Sequence, residues 1–268
     1  MKNPLVSVLF ISYNQVKYVK QALESILNQK TNFFYKIIIG DDCSSDGTRE
    51  IITALALEHP QKIIFSNPLI NLGAAKNFIQ LFDAGVNSEA KYISYLEGDD
   101  YWTDPYKLQK QVDFMENNPS YSMCFSRAEI LKERKTDTIF HYIPKSSTLY
   151  FKDIVFTHYI PTLTILFKNI GKLPKWFVKA KSGDRALAMF LTIHGPAKFI
   201  DEYMGVYRVH EGGISNTVKQ NEKIADDAYY IFKSLFSHAT IRQKFVLGYV
   251  IVKNRTANYL RKIGIMKK

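Results

Sequence analysis

The chain has 268 residues, enough for one large domain or for one domain with an appendage. Its 46% apolar and 23% charged residues are typical of a soluble globular protein and exclude long disorder. The longest apolar run, residues 245–252, is too short to span a membrane. Two cysteines, Cys43 and Cys124, exclude a disulfide framework and a four-ligand zinc site. The apolar run at the start is too short for a signal peptide, so we expect a cytoplasmic protein.

The net charge of +11 is concentrated at the carboxyl end. Residues 228–268 contain nine lysines and arginines and no acidic residue, so the preceding residues are nearly neutral. A nucleic-acid-binding protein would spread its basic residues over a face among aromatic side chains, so we expect no nucleic acid partner. The basic tail indicates a local contact with an anionic surface, such as the inner face of the cell membrane.

Apolar runs alternate with stretches of helical spacing in the first hundred residues. This alternation predicts an α/β fold with a mostly parallel central sheet flanked by helices. The predicted elements are strand 5–11, helix 16–29, strand 35–40, helix 48–58, strand 62–65, helix 74–84 and strand 92–96.

The pattern becomes mixed after residue 104. The predicted elements here are a helix from 105 to about 117, strands 123–125, 148–150, 162–167 and 198–200, and a helix over 188–192. From about residue 218 the spacing predicts two helices joined near Ser237, a C-terminal helical extension.

Polar clusters follow three of the predicted strands. They are Ser12-Tyr13-Asn14, Asp41-Asp42 and Glu97-Gly98-Asp99-Asp100. Ligands of parallel sheets bind beyond the carboxyl ends of the strands, so we expect these clusters to form one site. Three carboxylates in four residues favour a hard cation, Mn²⁺ or Mg²⁺. The alternative is an acidic cluster at the start of the following helix, and for Asp41-Asp42 a plain turn.

Five segments in this order make the chain resemble the family 2 glycosyltransferases, whose nucleotide-sugar-binding fold is known as GT-A. They are Val6-Ser7-Val8 through Asn14, Ala22 through Gln29, Ile39 through Thr48, Asn71-Leu72-Gly73 with Lys76-Asn77, and Tyr95 through Asp100. The resemblance continues more weakly to about residue 216. It implies a GT-A domain over 1–217, with a nucleotide-binding half at 1–104 and an acceptor-binding half at 105–217. Residues 218–268 are then a basic extension.

The resemblance also implies roles for the polar clusters. Ser12, Tyr13, Asp42 and the segment from Asn71 to Lys76 would bind the nucleotide sugar, with Tyr13 by the base and Asp42 on the base or ribose. Asp99 would contact the metal. Two residues depart from the family pattern. Glu97 replaces the commoner aspartate, so we assign it to the ribose or to a water-mediated contact, and Cys43 stands where glycine is frequent.

Three further residues come from the later part of the chain. Asp184, at the start of a predicted helix, stands where the family has its general base; the alternative is a helix cap. Arg208 would offer donors to phosphate, and His210 would bind the metal or a phosphate oxygen, or be structural. Gly212-Gly213 indicates a lid over the bound donor.

Two surface features have both a functional and a structural interpretation. Tyr101-Trp102 would form a platform for the acceptor sugar, or would simply pack under the sheet. The basic tail would lie on an anionic membrane, or would pack on the core with its cations solvated.

The sequence therefore predicts a metal-dependent, inverting glycosyltransferase that moves one hexosyl or N-acetylhexosaminyl unit from a nucleoside diphosphate sugar, favouring UDP. The acceptor would be a hydroxyl of a glycan or lipid-linked glycan, as in bacterial surface polysaccharide assembly. The alternative is a non-catalytic α/β protein that binds nucleotides or a membrane surface. A nucleotidyltransferase and a dehydrogenase are disfavoured, because no glycine-rich phosphate loop follows the first strand.

Overall fold

The computed structural model describes residues 3–66, 69–132, 135–137, 143–156, 160–210 and 220–262. Within these residues a ten-stranded sheet is flanked by helices on both faces, which confirms the predicted α/β class. The carboxyl ends of its first strands carry the polar clusters, so the sheet decides where the candidate site lies.

The elements of the first half alternate as the sequence predicts. They are β1 (Val6–Ser12), α1 (Val19–Leu27), β2 (Tyr35–Asp41), α2 (Thr48–Glu58), β3 (Ile63–Phe65), α3 (Ala74–Asn87), β4 (Tyr92–Glu97), β5 (Tyr101–Trp102) and α4 (Lys107–Asn117). Helix α1 begins three residues later than predicted. The N–H groups of Gln15 and Val16 donate to Thr48 and Asp46 in the turn after β2.

The second half contains short strands and two long ones. Its elements are β6 (Met123–Lys132), β7 (Lys135–Asp137), β8 (Thr148–Leu149), α5 (Phe151–Phe156), β9 (Leu166–Lys168), α6 (Gly183–Ile193), β10 (Ala197–Val209), α7 (Gln220–Leu235) and α8 (Ile241–Lys262). Two short 3₁₀ helices, Thr162–Thr164 and Lys175–Lys179, complete it.

The strand order is β3-β2-β1-β4-β9-β6-β10-β5, with β7 on β6 and β8 on β10. The first four strands are parallel, and so is the long β6–β10 pair, whereas β5, β7, β8 and β9 pair antiparallel. In β1 the register sets Ser12 beside Asp41 and Ile11 beside Glu97. The ends of β1, β2 and β4 therefore meet at one edge.

The apolar runs become strands because both faces of the sheet are covered. Alternate residues of β1, such as Val8 and Leu9, enter two different hydrophobic clusters. The cluster that contains Val8 lies under α1, α2 and α4, and the one that contains Leu9 lies under α3 and α5 to α8.

The strand predicted at residues 162–167 is wrong in its first half. Thr162–Thr164 is a 3₁₀ helix, and only Leu166–Lys168 is a strand. The Thr164 hydroxyl lies 2.9 Å from the Pro161 carbonyl oxygen and 3.1 Å from that of Ser126, and it stabilises the turn. A buried hydroxyl that bonds to nearby backbone competes with strand pairing.

The two predicted C-terminal helices are present as α7 and α8, and they pack on the main core. Ile231 and Phe232 of α7 and Leu247 of α8 are fully buried in the cluster under α3 and α6. This part of the basic tail therefore packs on the core, which was the structural alternative for the tail. Other side chains of α8 remain exposed. None of the helices in the described part of the chain has both the length and the apolar character needed to cross a bilayer. The predicted boundary at residues 217 and 218 lies outside the described residues, as does Gly212-Gly213.

Candidate functional site

A hydrogen bond between Ser12 and Asp41 links the carboxyl ends of β1 and β2. The Ser12 hydroxyl donates to Asp41 Oδ1 at 3.0 Å, and the Ser44 N–H donates to Asp41 Oδ2 at 2.9 Å. The Asp41 side chain is fully buried and lies 3.6 Å from the Arg49 guanidinium. Asp41 therefore stabilises the turn, as its structural interpretation requires, and Ser12 is at the edge of the site beneath exposed Tyr13.

Asp42 holds the loop that precedes α3. Its two carboxylate oxygens accept the N–H groups of Leu72 and Gly73 at 2.7 and 2.9 Å, and the Asn71 side chain donates to the Asp42 carbonyl. Gly73 has a φ of 80°, a conformation that favours glycine. Asp42 and Asn71 therefore shape one wall of the site together, with Lys76 exposed on the first turn of α3.

The acidic cluster follows β4. One oxygen each of Glu97, Asp99 and Asp100 lies within 4.8 Å of the others. Burial, followed by repulsion from Asp99 and Asp184, raises the pKa of Glu97 to about 7. Burial, followed by repulsion from Glu97 and Asp99, raises the pKa of Asp100 well above its usual value. Each raised pKa reflects an unfavourable free energy for a negative charge at this position. A bound cation would remove that unfavourable free energy.

The residues present fit a hard divalent cation. Asp100 Oδ1 accepts the Arg208 N–H at 2.9 Å, while its Oδ2 is buried and has no hydrogen-bond partner among the described residues. A buried carboxylate oxygen rarely stays unpaired. Asp100 was counted among the three carboxylates that favour a cation, but the metal contact was assigned only to Asp99 and His210. Its position in the acidic run was the available signal.

Arg208 and His210 reach the cluster from the end of β10. The Arg208 guanidinium donates to the Asp99 carbonyl and to the Gln21 side chain, and it lies between the rings of Tyr18 and Tyr101 at 5.0 and 4.4 Å. Arg208 is nearly buried, so it supports the acidic loop. Its predicted phosphate contact stays a prediction.

His210 lies beside the expected metal ligand. Its Nε2 is 3.0 Å from Asp99 Oδ2, and its ring lies 4.9 Å from that of Tyr18. Sequence reasoning missed Tyr18 and Gln21, which are three residues apart and therefore share one face of the chain at the start of α1. Their three-residue spacing was the only feature of the sequence that could have identified them as site residues, because neither residue type indicates a site by itself.

Asp184 enters the site from α6, where it is the second residue of the helix. It is close enough for its charge to raise the pKa of Glu97. The segment before it is held by Asp227 of α7, whose carboxylate accepts the N–H groups of Lys181 and Ser182 at 2.8 and 2.7 Å. The role of Asp184 as a general base stays a prediction.

The platform predicted at Trp102 is wrong. The Trp102 indole is 4% exposed, belongs to the hydrophobic core and donates to the Leu163 carbonyl at 2.7 Å. A ring in that position offers no face to a sugar. Tyr101 is half-buried, and the Arg208 guanidinium lies over its ring.

Comparison with known proteins gives a consistent result. The model of the family described as glycosyl transferase family 2 matches residues 7–172. An uncharacterized protein of Mycobacterium tuberculosis is 30% identical over 213 residues, which cover 78% of this chain and 60% of that protein. This chain therefore spans well under two thirds of that relative. TuaG of Bacillus subtilis, named as a teichuronic acid biosynthesis glycosyltransferase, is 24% identical over 87% of this chain and 88% of its own.

Solved structures share the fold. Staphylococcus aureus TarS 1–349 in complex with UDP-GlcNAc superposes with a TM-score of 0.68 at 16% identity, over 94% of this chain and 72% of TarS. The mannosyltransferase PcManGT of Pyrobaculum calidifontis, in complex with GDP-Man and Mn²⁺, gives 0.64 at 15% identity, over 94% and 70%. The expected GT-A fold is confirmed.

Proposed function

The chain belongs to glycosyl transferase family 2, and from that premise we propose that it transfers one sugar from a nucleoside diphosphate sugar to an acceptor hydroxyl. The observation that carries the proposal is the acidic cluster at the end of β4. Glu97, Asp99 and Asp100 lie together there, and the charge of Asp184 on helix α6 acts on Glu97.

Donor binding is assigned to the edge formed by β1, β2 and β4. Tyr13, Asp42 and Lys76 would contact the nucleotide end, supported by the bond of Asn71 to the Asp42 carbonyl and of Ser12 to the Asp41 carboxylate. TarS in complex with UDP-GlcNAc and PcManGT in complex with GDP-Man support a donor of this class. We favour a UDP-sugar that carries a hexosyl or N-acetylhexosaminyl group.

Asp99 and Asp100 would hold Mn²⁺ or Mg²⁺ together with His210, and Glu97 would contact the ribose or reach the cation through a water molecule. A bound cation supplies charge that stabilises the departing diphosphate. Arg208 keeps the acidic loop in place by its bond to the Asp99 carbonyl. Since Asp100 is tied to the Arg208 backbone, strands β4 and β10 present these oxygens as one rigid unit.

Asp184 is assigned as the general base. It would take the proton of the acceptor hydroxyl as the anomeric carbon is attacked from the side opposite the diphosphate, which inverts the configuration. Fixing the acceptor and the donor in line supplies much of the rate.

The acceptor is proposed to be a glycan or a lipid-linked glycan of a bacterial surface polysaccharide, on the cytoplasmic side of the membrane. The name of TuaG, from teichuronic acid biosynthesis, supports this class. In this proposal residues 1–104 bind the donor, and residues 105–217 contribute the base and the acceptor side.

Release of nucleoside diphosphate from sugar nucleotides, with Mn²⁺ and a mixture of glycan acceptors, tests the proposal. We expect Asp184→Asn to keep donor binding and to lose at least about a hundredfold in turnover, because an amide cannot take the proton. Unchanged turnover would reject Asp184 as the base. A protein that binds UDP but never releases it from any donor would support the non-catalytic alternative instead.

A further inference from the structure

Helix α8 presents an exposed apolar stripe beside its buried face. Ile241, Phe245 and Tyr249 follow each other at intervals of four residues and are 75%, 75% and 61% exposed. Four-residue spacing puts them on one side of the helix. Leu247 and Val250, which are buried, lie on the opposite side against the core. This set of three residues is called the α8 stripe below.

The stripe continues onto a neighbouring helix. Phe156, at the end of α5, is half exposed, and its ring lies 6.1 Å from that of Tyr249. The Lys253 ammonium lies 5.9 Å from the same Phe156 ring. Aromatic side chains of two helices thus form one apolar patch with a cation at its border. Large contiguous apolar patches on a protein surface mark interaction sites.

The charge around the patch decides which partner fits it. Arg242, Lys244 and Lys253 are exposed on the same helix. Residues 228–268 contain nine basic residues and no acidic one. Helix α8 has an apolar stripe and exposed cations and contains no acidic residue. This is the pattern of a helix that lies in a membrane interface, with apolar side chains among the acyl chains and cations on anionic headgroups. A polar protein partner would leave the aromatic rings without apolar contacts.

We propose that the α8 stripe and Phe156 dock the protein on an anionic lipid bilayer. The exposed basic residues of α8 thus belong to a defined surface, and its docking does not depend on transferase activity. Helix α8 is anchored to the core through Leu247, so docking would fix the orientation of the whole domain on the membrane.

Co-sedimentation of the full chain with vesicles tests the docking surface. Wild type should bind phosphatidylcholine vesicles that contain phosphatidylglycerol and bind pure phosphatidylcholine at least about tenfold more weakly. Replacing Phe245 and Tyr249 together by serine should weaken binding to the anionic vesicles at least about tenfold. Leu57→Ser is the matched control, because Leu57 is 76% exposed on α2 and far along the chain from the stripe. It should bind like wild type.

Two results would overturn the proposal. One is equal vesicle binding by wild type and the Phe245/Tyr249 double variant. The other is a concentration-dependent dimer in light scattering without lipid, abolished by the double variant and accompanied by no vesicle binding. That result would assign the patch to a second copy of the chain. Both replaced side chains are exposed, so the unfolding temperature of the variant should stay close to that of wild type and confirm a folded protein.

The structure also assigns a positioning role to Asp227 of helix α7, an inference that rests on the proposed role of Asp184. Asp227 is 5% exposed, and its two oxygens accept the N–H groups of Lys181 and Ser182. Ser182 is the N-cap of α6, and no side chain of its own caps the helix. The start of the helix that carries Asp184 is therefore held by a carboxylate from the C-terminal extension.

The same contact region includes Arg185. Its guanidinium lies 5.3 Å from the Phe232 ring of α7, and the charges of Asp184 and Asp227 both act on it. The start of α6 is thus held on both sides of Asp184, by the contacts of Asp227 to Lys181 and Ser182 and by the partly buried Arg185 side chain against Phe232. A small shift of this segment would move the base relative to the acceptor, and such shifts lower turnover more than donor affinity.

Steady-state kinetics of Asp227→Asn test this role. The amide keeps one acceptor oxygen for two N–H groups, so we expect kcat to fall about tenfold with the donor KM unchanged. Asp153→Asn is the control, because Asp153 also accepts a backbone N–H at the start of a helix, that of Tyr150 at the start of α5. It should leave kcat unchanged.

The two assignments fail separately. Full kcat in Asp227→Asn, with turnover lost in Asp184→Asn, would refute the positioning role alone. Full turnover in Asp184→Asn would refute the proposed base itself. Equal loss in Asp227→Asn and in the Asp153→Asn control would show a general loss of folded protein and would also overturn the positioning role.

Discussion

Lys107, at the start of α4, is fully buried, and replacing it should change how stability depends on pH. Its ammonium donates to the Gln111 side chain at 2.9 Å and to Ser94 at 3.3 Å, and it lies 4.0 Å from the Trp102 ring centroid. No carboxylate forms an ion pair with it among the described residues. Burial lowers the pKa of Lys107 from 10.5 to about 7.

The size of the effect follows from that shift. Between pH 7 and the unfolded pKa, the unfolded chain binds a proton that the folded protein has released. The free energy of unfolding therefore rises with pH, by about 1.4 kcal/mol per pH unit at most. From pH 7 to 9 the gain is about 2 kcal/mol, because Lys107 is still half protonated at pH 7. Below pH 7 the penalty for burying the charge is fully present.

Lys107→Met removes this titration but keeps the length of the side chain. The difference in unfolding free energy between Lys107→Met and wild type should shift by about 2 kcal/mol in favour of wild type between pH 7 and 9. Urea unfolding at several pH values measures it. The pH range stops at 9 because of Cys124. Burial raises the pKa of that thiol to about 12, so the free energy of unfolding falls with pH above the thiol's unfolded pKa near 9.

Lys110→Met is the control on the same helix. Lys110 is partly exposed and paired with Asp104 and Glu202, which raise its pKa, so it does not titrate in this window. Its difference from wild type should stay constant with pH. A difference for Lys107→Met that also stays constant would refute the reasoning, since it would mean that the ammonium remains charged in the folded protein.

Three substitutions in the candidate site give further predictions. Gly98→Ala should destabilise the protein by about 1 kcal/mol in urea unfolding, because the new methyl group would lie 3.0 Å from the Ser12 Cβ and would also displace the Gln15 Oε1, 2.4 Å away. Asp42→Ala should weaken binding of UDP about tenfold in calorimetry, because the two loop N–H groups that it holds lose their acceptors. Arg208→Lys should lower the unfolding temperature and the turnover together, because lysine cannot reach both Gln21 and the Asp99 carbonyl as the guanidinium does. Wild-type values in any of the three would contradict the corresponding contact.

The nucleotide-binding half of the fold was predictable because its signals are local. Buried parallel strands appear as continuous apolar runs such as the one before Ser12, and the turn at Asp41-Asp42 marks where such a run ends. Since parallel strands end at one edge, the meeting of Ser12, Asp41 and Glu97 followed from the order of the elements.

The later half was harder, because its contacts depend on tertiary packing. Nothing in the residues around Thr164 distinguishes a strand from a 3₁₀ turn until Ser126 lies beside it. Trp102 looked like a platform because it follows the acidic run, but the fold turns its indole toward Leu163. The pairing of Asp227 with the segment before Asp184 joins distant parts of the chain and has no local signature.

In the proposed mechanism, the carboxylates at the end of β4 hold a cation that binds the diphosphate. Calorimetric titration of UDP into wild type and Asp99→Asn, with and without Mn²⁺, tests it most directly. We predict that wild type binds UDP at least about tenfold more tightly with Mn²⁺, and that Asp99→Asn loses this gain. Equal affinity for UDP in all four titrations would contradict the claim.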